Sequence, residues 1–114
     1  ISNTFQTTFR MSGHFPRLPM ERPQVSDIAL HKALETVTIA LGQKIEKHGV
    51  GAYLSSHESL GIVTEEYHEL VDAVKQNDPI ETANELMDVA VGCLFAVASM
   101  IQKDMDLGAA NAAK

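Results

Sequence analysis

Thr64-Glu65-Glu66-Tyr67-His68-Glu69-Leu70 and Asn84-Glu85-Leu86-Met87-Asp88-Val89 gather five carboxylates into two short stretches of a 114-residue chain. Apolar residues recur around both at helical spacing, so each stretch is read as part of a helix. Residues three apart on a helix lie about 60° apart around its axis, so Glu66 with Glu69, and Glu85 with Asp88, project as pairs. The link through Gln76-Asn77-Asp78 is short, which makes the two helices antiparallel neighbours. Glu69 stands nine residues before Asp78 and Asp88 ten after it, while Glu66 stands twelve before and Glu85 seven after. The two acidic pairs therefore come to matching heights on a helical hairpin.

Working outward, the first of these helices is expected from about Ser56 to Gln76. Ser55 followed by Glu58 reads as a capping box. Its apolar stripe is read as Leu60, Val63, Tyr67, Leu70, Val71 and Val74, with Glu66 and Glu69 flanking it and Glu65 and Asp72 turned further towards solvent. The next helix starts at Pro79 with Asp78 as its cap and is expected to reach about Lys103. The tail, Asp104 to Lys114, is Ala-rich and reads as a short last helix. From Val89 to Ile101 there are thirteen uncharged, mostly apolar residues. This part should be buried on every side, with Cys93 as a small core residue. Gly92, Ala96 and Ser99 continue the line of Glu85 and Asp88 as a groove of small residues. Upstream, a helix is expected from about Ser26 to His48, capped by Ser26 or Asp27. Leu30, Leu34, Val37, Leu41 and Ile45 share one of its faces, Gly49 follows its end, and Gly49 to Leu54 is a loop. The fold class is all-α: an antiparallel helical bundle. The last helix has more apolar surface than three helices can cover, so the bundle is expected to be completed by oligomerisation, as a dimer or a dimer of dimers.

Composition agrees. Apolar residues make up 45% of the chain, aromatics only 5%, and Trp is absent, so the core is aliphatic. The net charge of −6 argues against a nucleic-acid polymer as partner. One cysteine permits no intrachain disulfide, and thirteen uncharged residues are too few to span a bilayer. The expected setting is the cytoplasm, away from a membrane. Residues 1–25 differ from the rest: three of the four prolines lie there, and three arginines stand against one acid, a net +2. Residues 26–114 carry six lysines against fourteen acids, a net −8. The first segment is read as an extended arm before an all-α domain. Residues 1–10 read as processed or non-native sequence with Met11 a natural start, and residues 11–25 as an arm packing on a neighbouring subunit.

Two carboxylate pairs facing each other form a cage of hard oxygen ligands, the environment preferred by Mg²⁺ or Mn²⁺. Glu66, Glu69, Glu85 and Asp88 are the expected ligands. No Lys or Arg lies three or four residues from Glu85 or Asp88, so that pair has no local counter-charge. Two non-catalytic readings stand beside this one, an acidic solvated surface and a structural metal in a helical interaction module. Glu65-x-x-His68 also matches half of a di-iron carboxylate pattern, but no second Glu-x-x-His follows. His14, His31, His48 and His57 read as surface residues.

Glu65-Glu66-x-x-Glu69 with Glu85-x-x-Asp88, led in by Leu60-Gly61-Ile62-Val63-Thr64, resembles the MazG-like all-α nucleoside triphosphate pyrophosphatases over about residues 27 to 105. The resemblance implies Mg²⁺-dependent cleavage of a nucleoside triphosphate to a monophosphate and pyrophosphate, as in house-cleaning of non-canonical nucleotides. It implies metal ligation by Glu66, Glu69, Glu85 and Asp88, with Glu65 holding a further metal or taking the proton from the attacking water. The large aromatic that often helps form the family's base pocket is missing, leaving Tyr53 and Tyr67. Candidate substrate contacts are Lys44, Lys47 and Tyr67, with Lys75 and the arm arginines as further cationic residues.

Overall fold

A computed structural model describes residues 21–112, which form three helices and no strand: α1 Asp27–His48, α2 Ser56–Lys75 and α3 Pro79–Ala112. The all-α class is therefore observed. Residues 1–20, which hold most of the Pro/Arg arm, and residues 113–114 lie outside the described residues; residues 21–26 are exposed and carry no regular secondary structure.

Each helix begins where a side chain can satisfy its free N–H groups. Ser26 Oγ accepts the Ala29 N–H at 3.1 Å, and Ser55 Oγ accepts the Glu58 N–H at 3.1 Å. The Glu58 carboxylate accepts the Leu54 N–H at 2.6 Å, one residue earlier than in a standard capping box. Asp78 Oδ1 accepts the Glu81 N–H at 3.0 Å, with Pro79 as first helical residue. Gly49 closes α1 at φ +84°, a conformation that a side chain would oppose. The end of α2 turns through Asn77 at φ +56°, with Asn77 N–H donating to Val74 O and Asp78 N–H to Ala73 O. That pair of bonds is a Schellman motif, with Asn in place of the usual Gly. It folds α3 back along α2.

The α2–α3 hairpin is the principal packing unit, and α1 makes a smaller contact with α3. Ala73 and Val91 are its deepest apolar side chains. Only the second half of α1 is covered: Val37, Ala40, Leu41 and Ile45 are half-buried, while Leu34 on the same face is 67% exposed. The loop after α1 is pinned to α3. The Tyr53 backbone N–H donates to Ser99 Oγ at 3.0 Å, Ser99 O–H donates to Phe95 O at 2.9 Å, and the Tyr53 and Phe95 rings meet edge to face at 5.0 Å. The radius of gyration is 18.4 Å, against about 13 Å for a compact domain of 100 residues.

Three expectations are corrected. First, α3 does not stop near Lys103; it continues unbroken to Ala112, because no Pro intervenes, the segment is Ala-rich, and Gln102 Nε2 donates to Asp106 Oδ1 one turn on. Second, the buried face of α2 runs through Ile62, Val63, Glu66, Leu70 and Ala73, displaced from the expected stripe. Leu60, Tyr67 and Val74 are exposed. The small Ala73 lets α3 approach on that line, and the larger side chains are left outside. Third, α3 is not buried on every side in a single chain: Leu94 is 45% and Ile101 55% exposed, and Cys93 is exposed rather than in the core. The groove of small residues is seen, with Gly92 and Ser99 buried.

Candidate metal centre

The hairpin turn sets α2 and α3 antiparallel, and the small residues of α3 set how close they come. A Cβ at Gly92 would meet Val63 Cγ2 at 3.7 Å. Over the next two helical turns towards the hairpin turn on each helix, the four acids converge. Glu66, Glu69, Glu85 and Asp88 each offer a carboxylate oxygen, and these four oxygens lie within 4.8 Å of one another. Glu66 and Glu85 are half-buried against the helix interface; Glu69 and Asp88 are exposed at its edge. The centre is thus walled on the protein side and open on the other.

The electrostatics of this group are unfavourable without a counter-charge. The Glu66 carboxyl titrates above its ordinary range because burial disfavours its charge and the Asp88 and Glu69 carboxylates repel it, with Lys44 opposing. Glu85 is pushed up to about 7, first by burial, then by hydrogen bonding with Glu81 and the charges of Asp88 and Glu69. Its Oε1 is shut off from solvent with no hydrogen-bond partner. A buried orphan oxygen is costly, and a divalent cation satisfies both the lone pairs and the charge. Four carboxylates are donors that suit Mg²⁺ or Mn²⁺. The residues fit the ion.

The other sequence candidates fall around this centre rather than in it. Glu65 is exposed and is not one of the four acids whose oxygens converge. Lys44, half-buried on the covered part of α1, is close enough for its charge to act on Glu66; Lys47 is exposed near the end of α1. Tyr67 is 54% exposed, and its ring lies 6.1 Å from that of His68. It sits about 160° around α2 from Glu69, so the hairpin does not bring it to the acids. His68 is also exposed and outside the cluster, as are His31, His48 and His57. Sequence reasoning passed over Glu81, whose signal was its place one turn before Glu85.

Comparison with protein-family models, curated proteins and solved structures finds no match to this chain.

Proposed function

We propose that the chain is a Mg²⁺-dependent nucleoside triphosphate pyrophosphohydrolase, cleaving NTP or dNTP to the monophosphate and pyrophosphate. The observation that carries this reading is the convergence of Glu66, Glu69, Glu85 and Asp88, with Glu85 Oε1 left unpartnered and Lys44 as the adjacent cation. Glu66, Glu69, Glu85 and Asp88 hold Mg²⁺, or Mn²⁺ in its place. When bound, the ion neutralises triphosphate charge and acidifies water.

The chain's own residues do the rest. Lys44 places a positive charge beside the ring of acids, where a phosphate oxygen can pair with it, and Lys47 extends that edge. Water attacks the α-phosphorus, the bond from that phosphorus to the α–β bridging oxygen breaks, and pyrophosphate leaves. Glu65, exposed on the α2 turn that carries Glu66, takes the proton released by the water. Cleavage of non-canonical nucleotides in the cytoplasm is the biological role proposed. The bundle is completed by self-association, as a dimer or a dimer of dimers.

Pyrophosphate release from a panel of nucleoside and deoxynucleoside triphosphates, with Mg²⁺ and with EDTA, tests the reaction. Metal-dependent release with monophosphate as co-product is expected. Silence across the panel, in protein shown by circular dichroism to be helical, overturns it.

A further inference from the structure

The apolar stripe of α1 is packed along half of its length only. Leu30, Leu34, Val37, Leu41 and Ile45 fall within about 80° around the helix axis. The second half lies against α3: Val37, Leu41 and Ile45 are half-buried, whereas Leu30 is 52% and Leu34 67% exposed. At about 100–150 Å² of apolar surface per leucine, these two leave roughly 150 Å² in water. A standard interface between two proteins takes about 800 Å² from each partner, so this bare end is too small to hold one by itself. It suits a short covering segment already tethered to the chain, which is spared the entropy lost when free molecules associate.

We propose that residues 15–20 of the same chain are that segment, with Phe15 and Leu18 seated on Leu30 and Leu34. Residues 1–20, outside the described residues, hold three of the chain's four phenylalanines together with Met11, Leu18 and Met20. Twenty residues are too few to bury such side chains in a core of their own. Charge fits as well. Residues 1–20 carry Arg10 and Arg17 and no acid, a net +2, while residues 21–114 carry seven cationic residues against fifteen acids, a net −8. Asp27 is exposed one turn before Leu30 on the bare face, and Lys32 stands about 160° around the helix from Leu30. Reach is sufficient. Leu30 and Leu34 lie only about 6 and 12 Å along α1 from Ser26. Leu18 and Phe15 are eight and eleven residues before Ser26, up to about 26 and 36 Å of extended chain, which leaves length to reverse through residues 21–26. Pro16 and Pro19 restrict the backbone around Leu18 before any contact forms, which lowers the entropy lost on docking. The contact lies within one chain, so it rests on neither the hydrolase reading nor self-association.

The chain has no tryptophan, so Phe15→Trp in the full-length protein is a single fluorescent reporter of the segment. Its emission should be blue-shifted, and shielded from acrylamide, relative to the same protein unfolded in urea. Adding Leu34→Ser should move the emission to the red, towards the urea value, with helicity by circular dichroism retained. Ile39→Ser, at a 57% exposed residue about 140° around α1 from Leu34, should leave the emission where it was. Solvent-exposed emission from the Phe15→Trp protein itself, no change on adding Leu34→Ser, or an equal red shift from Ile39→Ser overturns the proposal. Mixing separates a contact within one chain from an exchange between chains. The doubly substituted Phe15→Trp, Leu34→Ser protein should stay red-shifted in an excess of wild-type chain; a restored blue shift would mean that the segment docks on a neighbour's α1, and overturns the contact proposed. A blue shift of the Phe15→Trp protein seen only with phosphatidylcholine vesicles overturns it in favour of a membrane surface.

Discussion

Gly92 on α3 faces Val63 on α2 at a separation where a methyl group at position 92 would sit 3.7 Å from Val63 Cγ2. That is ordinary van der Waals contact, so the glycine is small enough for the approach without being demanded by it. Glycine inside a helix costs up to about 1 kcal/mol relative to alanine. Gly92→Ala should therefore raise stability to urea by up to about 1 kcal/mol and leave Mg²⁺ binding intact. Gly92→Leu drives a branched side chain into Val63 and should separate the two acidic pairs one turn away. A loss of stability in Gly92→Ala would show that the helices pack closer than this.

Ser99 joins the loop to α3 with one hydroxyl. It accepts the Tyr53 N–H and donates to Phe95 O, and the residue is 9% exposed. Ser99→Ala strands the Tyr53 N–H in a part-buried place, which should cost about 1–3 kcal/mol in urea unfolding. Ser99→Thr keeps the hydroxyl and should recover much of that. Equal losses in both variants would mean that packing volume, not the hydrogen bond, holds the loop.

How much of this was legible beforehand follows from which forces are local. The caps at Ser26, Ser55 and Asp78 are set by side chains within three residues of the N–H groups they satisfy; the sequence names Ser55 and Asp78 outright and Ser26 as one of two candidates with Asp27. The meeting of Glu66 and Glu69 with Glu85 and Asp88 follows from counting residues to one short turn. The buried face of α2 was not legible, because α2 is apolar over a broad arc and the choice between Leu60-Tyr67-Val74 and Ile62-Glu66-Ala73 is made by what α3 presents. The sequence marks the line of small residues on α3, Gly92, Ala96 and Ser99, but not which part of the broad apolar arc of α2 packs against it. Cys93 was misplaced for the same reason: a helix apolar all round does not say which side a single chain covers.

Neutralising an acid of the cluster should move stability and function in opposite directions. Glu69 and Asp88 each add charge repulsion that raises the Glu66 and Glu85 carboxyls. Glu69→Gln or Asp88→Asn relieves it, so the thermal midpoint in EDTA at mildly alkaline pH should rise. If the ion binds as proposed, Mg²⁺-dependent turnover should fall at least about 100-fold, the upper end of what losing even an outer partner of a metal ligand costs. Midpoints that fall in EDTA would mean the carboxylates make stabilising contacts in the metal-free protein; retained turnover would remove these residues from the site.

The pH dependence of Glu85 gives a signature with a definite sign. Its folded-state pKa is raised from 4.5 to about 7, so the folded protein holds this proton more tightly than the unfolded chain does. The resulting penalty is full above about pH 7, shrinks as pH falls from about 7 to 4.5, and is absent below that window. In EDTA, this carboxyl should therefore make the protein more stable as pH falls through the window, the reverse of an ordinary salt-bridged acid. Mg²⁺ needs the deprotonated ligand, so its stabilisation should grow with pH over the same range. The gap between the thermal midpoints in saturating Mg²⁺ and in EDTA should widen from about pH 5 to pH 8. Glu85→Gln cannot titrate and should flatten the EDTA curve across the window while narrowing the Mg²⁺ gap at every pH. A gap in the wild-type protein that stays constant with pH would show that proton release at Glu85 is not linked to metal binding, and would remove Glu85 from the ligand set.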